Sequence, residues 1–292
     1  MPGPNKFAQA LESNQFLVTC ELDPPKGTDS SLADNKIKML RDKVQAVVVS
    51  DNPKAHLHMA PLGFCRYLLD QGCEPIMTIT CRDRNRLALQ SDLLAAAGLG
   101  IRNILAVSGD YITWGDHPGS SPVYDLDSVQ LLWALSQLNQ NKDMAGDTLL
   151  GPSPSFVYGG AVTLSGNPLA PQVIKFKKKE QGGARFFMSH PIFDLAGVED
   201  FFKLVPDLKT PLLATVCLVK EEQLKDYTTG RYPGLQIPES FREKFQNLSA
   251  GEAEAKITEY TATLIADIKK DGRFRGVHLM LQGEEERIGE LL

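Results

Sequence analysis

A chain of 292 residues, 42 % of them hydrophobic, can bury a large core and falls near the size of one α/β barrel, so a single domain over 1–292 is expected. A net charge of −5 without a long basic block argues against a nucleic-acid partner, and no apolar run approaches the roughly 18 residues of a membrane span. The five cysteines Cys20, Cys65, Cys73, Cys81 and Cys217 are odd in number, widely spaced and form no CxxC pair. With no apolar secretory segment near the start, they point to reduced thiols in the cytoplasm.

Residues 16–22 alternate and are β-rich, predicting a first strand that Pro24, Pro25 and Gly27 end before the helical pattern Leu32, Ile37 and Leu40. Residues 44–49 form a continuous apolar run, as in a parallel strand covered on both faces, and stop at Ser50, Asp51, Asn52 and Pro53. A helix follows through 57–69. His56 and His58 lie before Cys65 and Cys73 at no standard metal spacing, so solvated histidines and core cysteines are preferred to a zinc site.

The stretch 80–110, TCRDRNRLALQSDLLAAAGLGIRNILAVSGD, joins the end of a third strand (75–80) to a helix, a fourth strand (103–108) and a charged tip at Asp110. Leu87, Leu89, Leu93, Leu94, Ala97 and Leu99 are read as its apolar helical face, and Gly98 and Gly100 as the stop. The loop after Asp110 is long enough to suggest function, with disorder as the competing reading, and a helix resumes over 126–138. Strands over 156–164, 185–189, 211–219 and 276–281 alternate with helices ending in the lysine run 175–179, over 198–205 and over 252–268. Eight strands alternating with helices predict an α/β (β/α)8 TIM barrel. A doubly wound open sheet is the rival, weakened by the lack of a GxGxxG or GxxxxGK[ST] phosphate loop.

In a barrel the strand ends gather Glu21, Ser50, Thr78, Thr80, Ser108, Asp110, Thr163, His190 and Gln282 around one mouth. Any one of these could be an ordinary polar loop residue. Glu21 and Asp110 stand out because each closes an apolar strand, where desolvation would raise a carboxyl's proton affinity and suit one to acid work and the other to electrostatic work. Spacing alone would equally allow a glycosidase pair.

The blocks CELDPPKG (20–27), VVVSDN (47–52), TCRDRNRLALQSDLLAAAGLGIRNILAVSGD (80–110) and KKKEQGGARFFMSHPIFD (177–194) together resemble the flavin-dependent methylenetetrahydrofolate reductases, a likeness that spans roughly 15–282. The resemblance implies a (β/α)8 barrel that reduces 5,10-methylenetetrahydrofolate to 5-methyltetrahydrofolate through FAD or, alternatively, FMN. It makes Glu21 the general acid for the bridging nitrogen and Asp110 the charge beside flavin and folate. Ser50, Thr78, Thr80, Ser108, Gly109, Asp110 and Tyr124 fall on flavin-contacting positions, with Lys178 and Lys179 near its phosphate or diphosphate; without the resemblance the lysine run would read as a solvated helix face. Glu21, Asp110, His190 and Gln282 are the expected substrate contacts.

The chain also departs from that family. His190 replaces the usual Gln at the end of strand six and can titrate near neutrality. VCLV at 216–219 replaces the usual GILP, and no clear match follows for the aromatic that holds nicotinamide. The electron donor is therefore NAD(P)H or a partner electron-transfer subunit, in a homo-oligomer or a hetero-complex. A folate-barrel methyltransferase without flavin and a non-catalytic barrel subunit are the rival functions; the two carboxylates argue against the latter.

Overall fold

A computed structural model describes residues 5–13, 15–220, 224, 237–245 and 248–292. Its strands are β1 (Leu17–Glu21), β2 (Ala46–Val49), β3 (Pro75–Thr80), β4 (Asn103–Val107), β5 (Val157–Val162), β6 (Phe186–Pro191), β7 (Leu212–Cys217) and β8 (Gly276–Met280). All pair in parallel with their sequence neighbours, and β1 pairs with both β2 (Thr19 opposite Ala46) and β8 (Leu17 opposite Gly276). That double pairing closes the barrel and excludes the open sheet, which would leave β1 or β8 with a free edge. Most strands read as unbroken apolar runs because side chains pointing out meet the surrounding helices while those pointing in fill the barrel.

The interior is packed at its amino-terminal end. Helix α1 (Lys6–Glu12) covers that end with Phe7, fully buried and set edge-on to Phe186 at 5.0 Å between ring centres. Asn5 donates to Asn103 Oδ1 at 2.8 Å, and Asn103 donates to Glu74 Oε1 at 2.8 Å, so the polar groups beneath the barrel satisfy one another. The large cavity opens at the opposite end.

Helices α2 (Asp34–Leu40), α3 (Pro61–Asp70), α4 (Arg86–Gly98), α5 (Ser128–Asn139), α6 (Ala170–Gln181), α7 (Glu199–Leu204), α8 (Glu239–Glu243) and α9 (Ala250–Asp271) occupy the connections, and α10 (Ile288–Leu291) follows β8. Asn85 caps α4, accepting from Ala88 N at 3.0 Å, and Asp127 with Gln130 forms a capping box on α5. The core face of α4 is narrower than the leucines suggest: Leu89, Leu93 and Ala96 are buried, whereas Leu87, Leu94 and Leu99 are exposed. Spacing of three, four and seven residues sets one stripe against the barrel, and the remaining leucines lie off it. All five cysteines are free and buried. Among the described residues no helix is long and apolar enough to cross a membrane. Between β7 and α9, residues 221–223, 225–236 and 246–247 lie outside the described residues.

β6 runs further than its apolar pattern suggests, through His190 and Pro191, with a register shift against β7 between Met188 and Pro191. Thr215 holds the irregularity: its N–H donates to Ser189 Oγ at 2.9 Å and its hydroxyl donates to the Ser189 carbonyl. An irregularity of this kind re-aims a side chain at a barrel rim. Here it accompanies His190, which opens to the mouth.

Candidate active site

The carboxyl ends of the strands surround a cavity of about 1150 Å³. Its lining includes Glu21, Ser50, Thr78, Thr80, Ser108, Gly109, Asp110, Thr163, Lys179, His190 and Gln282, so most of the residues expected at the mouth share one space. Two do not line it. Lys178 is on the exposed side of α6, and Tyr124 stands behind Asp110, donating from its hydroxyl to the Asp110 carbonyl at 3.1 Å.

Glu21 ends β1 with its side chain turned inward to the cavity and 22 % exposed. Its Oε2 lies 3.6 Å from Nε2 of the buried His278, which was not apparent from sequence. That separation exceeds a direct hydrogen bond. His278 is fixed from behind, its Nδ1 lying 3.1 Å from Thr19 Oγ1. Burial raises the Glu21 carboxyl, but the pull of His278 and hydrogen bonds with Ser50 and Asp23 outweigh it and hold Glu21 below the ordinary carboxylate range. The expected rise in proton affinity at this position is thus reversed. It falls instead on Asp23, pushed up to about 7 by burial and then by the charge of Glu21.

Asp110 stands at the outer edge of the mouth, where its Oδ2 accepts from Lys54 N at 3.1 Å. This contact steadies a tight segment in which Asn52, Lys54 and Ala55 all take positive φ (46°, 54° and 59°), a conformation that costs non-glycine residues energy. Gly115 packs on the same segment so closely that a Cβ would fall 1.8 Å from the Ala55 carbonyl oxygen. Asp116 joins three loops, accepting from Lys26 Nζ at 2.6 Å, Leu57 N at 2.9 Å and His117 Nδ1 at 2.8 Å. The Lys26 bond, then those from His117 and Leu57, keep its carboxyl well below the usual range. The long loop after Asp110 is therefore tied down, with Tyr111 and Trp114 edge-on at 4.8 Å.

Beneath that loop the TCRDRN block forms a support. Arg82, 1 % exposed, pairs with Asp83 at 2.8 Å and reaches the carbonyls of Asn52 at 3.3 Å and Asp110 at 3.4 Å. Gly109 is pressed on the same side chain: at φ +91°, a Cβ would stand 2.9 Å from Arg82 Cβ, so only glycine turns the chain here without strain. Arg84 pairs at 2.7 Å with the wholly buried Asp51.

The opposite wall is basic. Lys179 is buried, with Nζ donating to the Ala161 carbonyl at 2.6 Å, and Lys175, one turn earlier on α6, also lines the cavity. Burial, then the charge of Lys175, lowers Lys179 to about 8. His190 is lowered from its ordinary value by burial and then by the charge of Lys179. Neutral imidazole can replace an amide as a hydrogen-bonding group. His56 and His58 lie on the loop before α3 and line the mouth, whereas Cys65 and Cys73 are in the core.

The family model for methylenetetrahydrofolate reductase matches residues 6–292. The chain belongs to the methylenetetrahydrofolate reductase family. No curated protein matches it. Among solved structures, a protein from Clostridium thermocellum that binds two copies of 5-methyl-5,6,7,8-tetrahydrofolic acid is similar at a TM-score of 0.62 and 12 % identity, covering 97 % of this chain and 95 % of that one. An oxaloacetate acetylhydrolase (TM-score 0.51, 9 % identity) and a 2,3-dimethylmalate lyase of the PEP mutase/isocitrate lyase superfamily (0.50, 12 %) each cover 97 % of this chain and 82 % of their own. At these identities the likeness to all three is one of fold. For this reductase-family member the site residues rest on its own geometry. Glu21 and Asp110 line the cavity, and so do His278, Asp23 and Lys175.

Proposed function

We propose that this chain reduces 5,10-methylenetetrahydrofolate to 5-methyltetrahydrofolate with a bound flavin, FAD or FMN. The observation that carries this reading is that Glu21 and Asp110 line one cavity of about 1150 Å³, larger than the roughly 300–1,000 Å³ of ordinary small-molecule sites. The lining fits a flavin: Ser50, Thr78, Thr80 and Ser108 offer hydroxyls, Gly109 allows close backbone approach, and Lys175 and Lys179 supply positive charge for a phosphate. A flavin bound there supplies the hydrogen and electrons of the reduction.

The remaining work belongs to the protein. Glu21 protonates the bridging nitrogen of the folate ring, opening it to an iminium cation. Asp110 favours that cation by its charge, and His190 and Gln282 hydrogen-bond the substrate. Electrons come from NAD(P)H or from a partner electron-transfer subunit, with the chain acting as a homo-oligomer or within a hetero-complex in the cytoplasm.

The test is the visible spectrum of the purified protein, identification of any released flavin by mass, and anaerobic addition of 5,10-methylenetetrahydrofolate to the chemically reduced protein. Flavin absorbance, reoxidation by folate and formation of 5-methyltetrahydrofolate support the proposal. A colourless protein that takes up no flavin and binds 5-methyltetrahydrofolate would establish the second reading, a folate-binding methyltransferase. The observation favouring that alternative is that Glu21 is held ionised, whereas a general acid needs a proton. A protein of the same fold that binds 5-methyl-5,6,7,8-tetrahydrofolic acid is compatible with either.

Asp110→Asn isolates the charge at the outer edge, because the amide oxygen can still accept from Lys54 N. Unit charges about 4 Å apart attract by roughly 1 kcal/mol in water and about 4 kcal/mol at the effective dielectric of a protein surface. Folate turnover should fall between about fivefold and several hundredfold, with flavin content unchanged. An unaltered rate and folate affinity would remove Asp110 from the mechanism.

A further inference from the structure

Side chains alternate along a strand, so Thr19 and Glu21, two residues apart on β1, share the face that points into the barrel. Parallel pairing sets His278 of β8 directly opposite Thr19 and diagonal to Glu21. The imidazole spans the two: Nδ1 lies 3.1 Å from Thr19 Oγ1, and Nε2 lies 3.6 Å from Glu21 Oε2. Thr19 is fully buried and His278 nearly so. Thr19 Oγ1 also donates to the Val277 carbonyl at 3.4 Å. A hydroxyl has one hydrogen and a carbonyl only accepts, so with that hydrogen given to Val277, Nδ1 must carry its own and donate it to Thr19. A neutral ring then turns a bare Nε2 toward Glu21. Bare nitrogen and ionised carboxylate would set lone pair against lone pair, so this geometry calls for one proton between them.

We propose that His278, oriented by Thr19, is the positioning residue that supplies Glu21 with its proton: the proton rests on Nε2 and passes to the carboxyl when folate draws on it. This deepens the assignment of Glu21 as the acid and rests on it. A separation of 3.6 Å is long for transfer, but acid–base contacts of this kind tighten when substrate closes the site. Burial raises the Glu21 carboxyl, and His278 is foremost among the groups that overcome that rise and hold it below the ordinary range. A carboxyl so held still acts as an acid if its neighbour keeps the proton. Across the ring on β7, Thr215 gives its hydroxyl hydrogen to the Ser189 carbonyl. Cys217, further along β7, is pushed up to about 12 by burial and then by Glu21, so it carries no charge.

The transfer balances simply. The Nε2–H bond breaks as an O–H bond forms on Glu21, and that O–H then breaks as an N–H bond forms on the bridging nitrogen of the folate. Glu21 is left ionised and His278 neutral, its remaining hydrogen still donated from Nδ1 to Thr19. No electrons are exchanged, and one proton from water in the cavity, which His278 lines, restores the pair. Thr19 matters because the hydrogen bond at one ring nitrogen decides the state of the other.

The first test needs no turnover. In the full chain with ¹⁵N-labelled histidine, the ring nitrogen signals are recorded at neutral pH without folate, with His278→Gln identifying those of His278 by their loss. Both nitrogens of His278 should be protonated, and Glu21→Gln should leave Nε2 bare. A bare Nδ1 or a bare Nε2 in the wild type, or an Nε2 signal unmoved by Glu21→Gln, overturns the proposal. In turnover, Thr19→Val keeps the packing and removes the hydroxyl, whereas Thr19→Ser keeps the hydroxyl and removes a methyl group. Thr19→Val should slow folate reduction about tenfold or more, with folate affinity and flavin reduction by the electron donor unchanged, and Thr19→Ser should retain most of the rate. Equal losses, or the reverse order, would make Thr19 a packing residue and overturn the transfer. If the nitrogens respond as expected but the protein reduces no folate, the functional assignment fails and the Glu21–His278 proton stands.

Discussion

Replacing Glu21 with Gln is expected to lower reduction of 5,10-methylenetetrahydrofolate by about 10²–10⁴-fold, the usual contribution of a positioned acid, while leaving flavin content and flavin reduction intact. Gln keeps the size of the side chain and can still bond to Ser50, so the cavity wall survives. What it loses is the ionisable carboxyl that faces His278 at 3.6 Å. The decisive measurement separates two half-reactions. Reduction of the flavin by its donor should proceed at the wild-type rate, and reoxidation by folate should stall. Near-normal reoxidation would remove Glu21 from the acid role, whatever the protein's colour.

The barrel was legible because buried parallel strands declare themselves: AVVV in β2 is apolar at every position, and the polar residue that follows such a run falls at the mouth. Glu21, Ser50, Thr80 and Asp110 were found in this way. His278 was not, since it sits within GVHLM, where a strand histidine looks like any inward polar residue; its partner Glu21 comes from the other end of the chain and meets it only when β8 closes on β1. Asp23 was masked by the prolines after it, which read as a break although the residue before a proline stays extended. The lysine run contained a usable signal. Positions 175 and 179 are one helical turn apart and both reach the cavity, while 178 is rotated away to the exposed side, so the 3.6-residue period would have selected the first two.

The supports of the site should prove more fragile than its lining, and Asp51→Ala tests this most severely. Asp51 has no side-chain exposure; it accepts from Arg84 Nη1 at 2.7 Å, from Thr80 N at 2.9 Å and from Thr80 Oγ1 at 3.1 Å. Alanine would leave a backbone N–H unpaired at the end of β3 and part of a guanidinium uncompensated, and removing one member of a buried pair typically costs about 3–5 kcal/mol. Arg84 retains Asp92 at 2.7 Å, which places the expected loss toward the lower end. Each kcal/mol should lower the melting temperature by roughly 2–4 °C in a domain of this size. Asp51→Asn separates charge from hydrogen bonding: its amide oxygen can still accept from Thr80, so it should lose markedly less stability than alanine. Equal losses would mean that the charge on Arg84, rather than the unpaired Thr80 N–H, sets the cost. Because Asp51 ties the β2 loop to the end of β3, the alanine variant should also loosen the segment that presents Lys54 N to Asp110, weakening folate binding even at temperatures where the barrel remains folded.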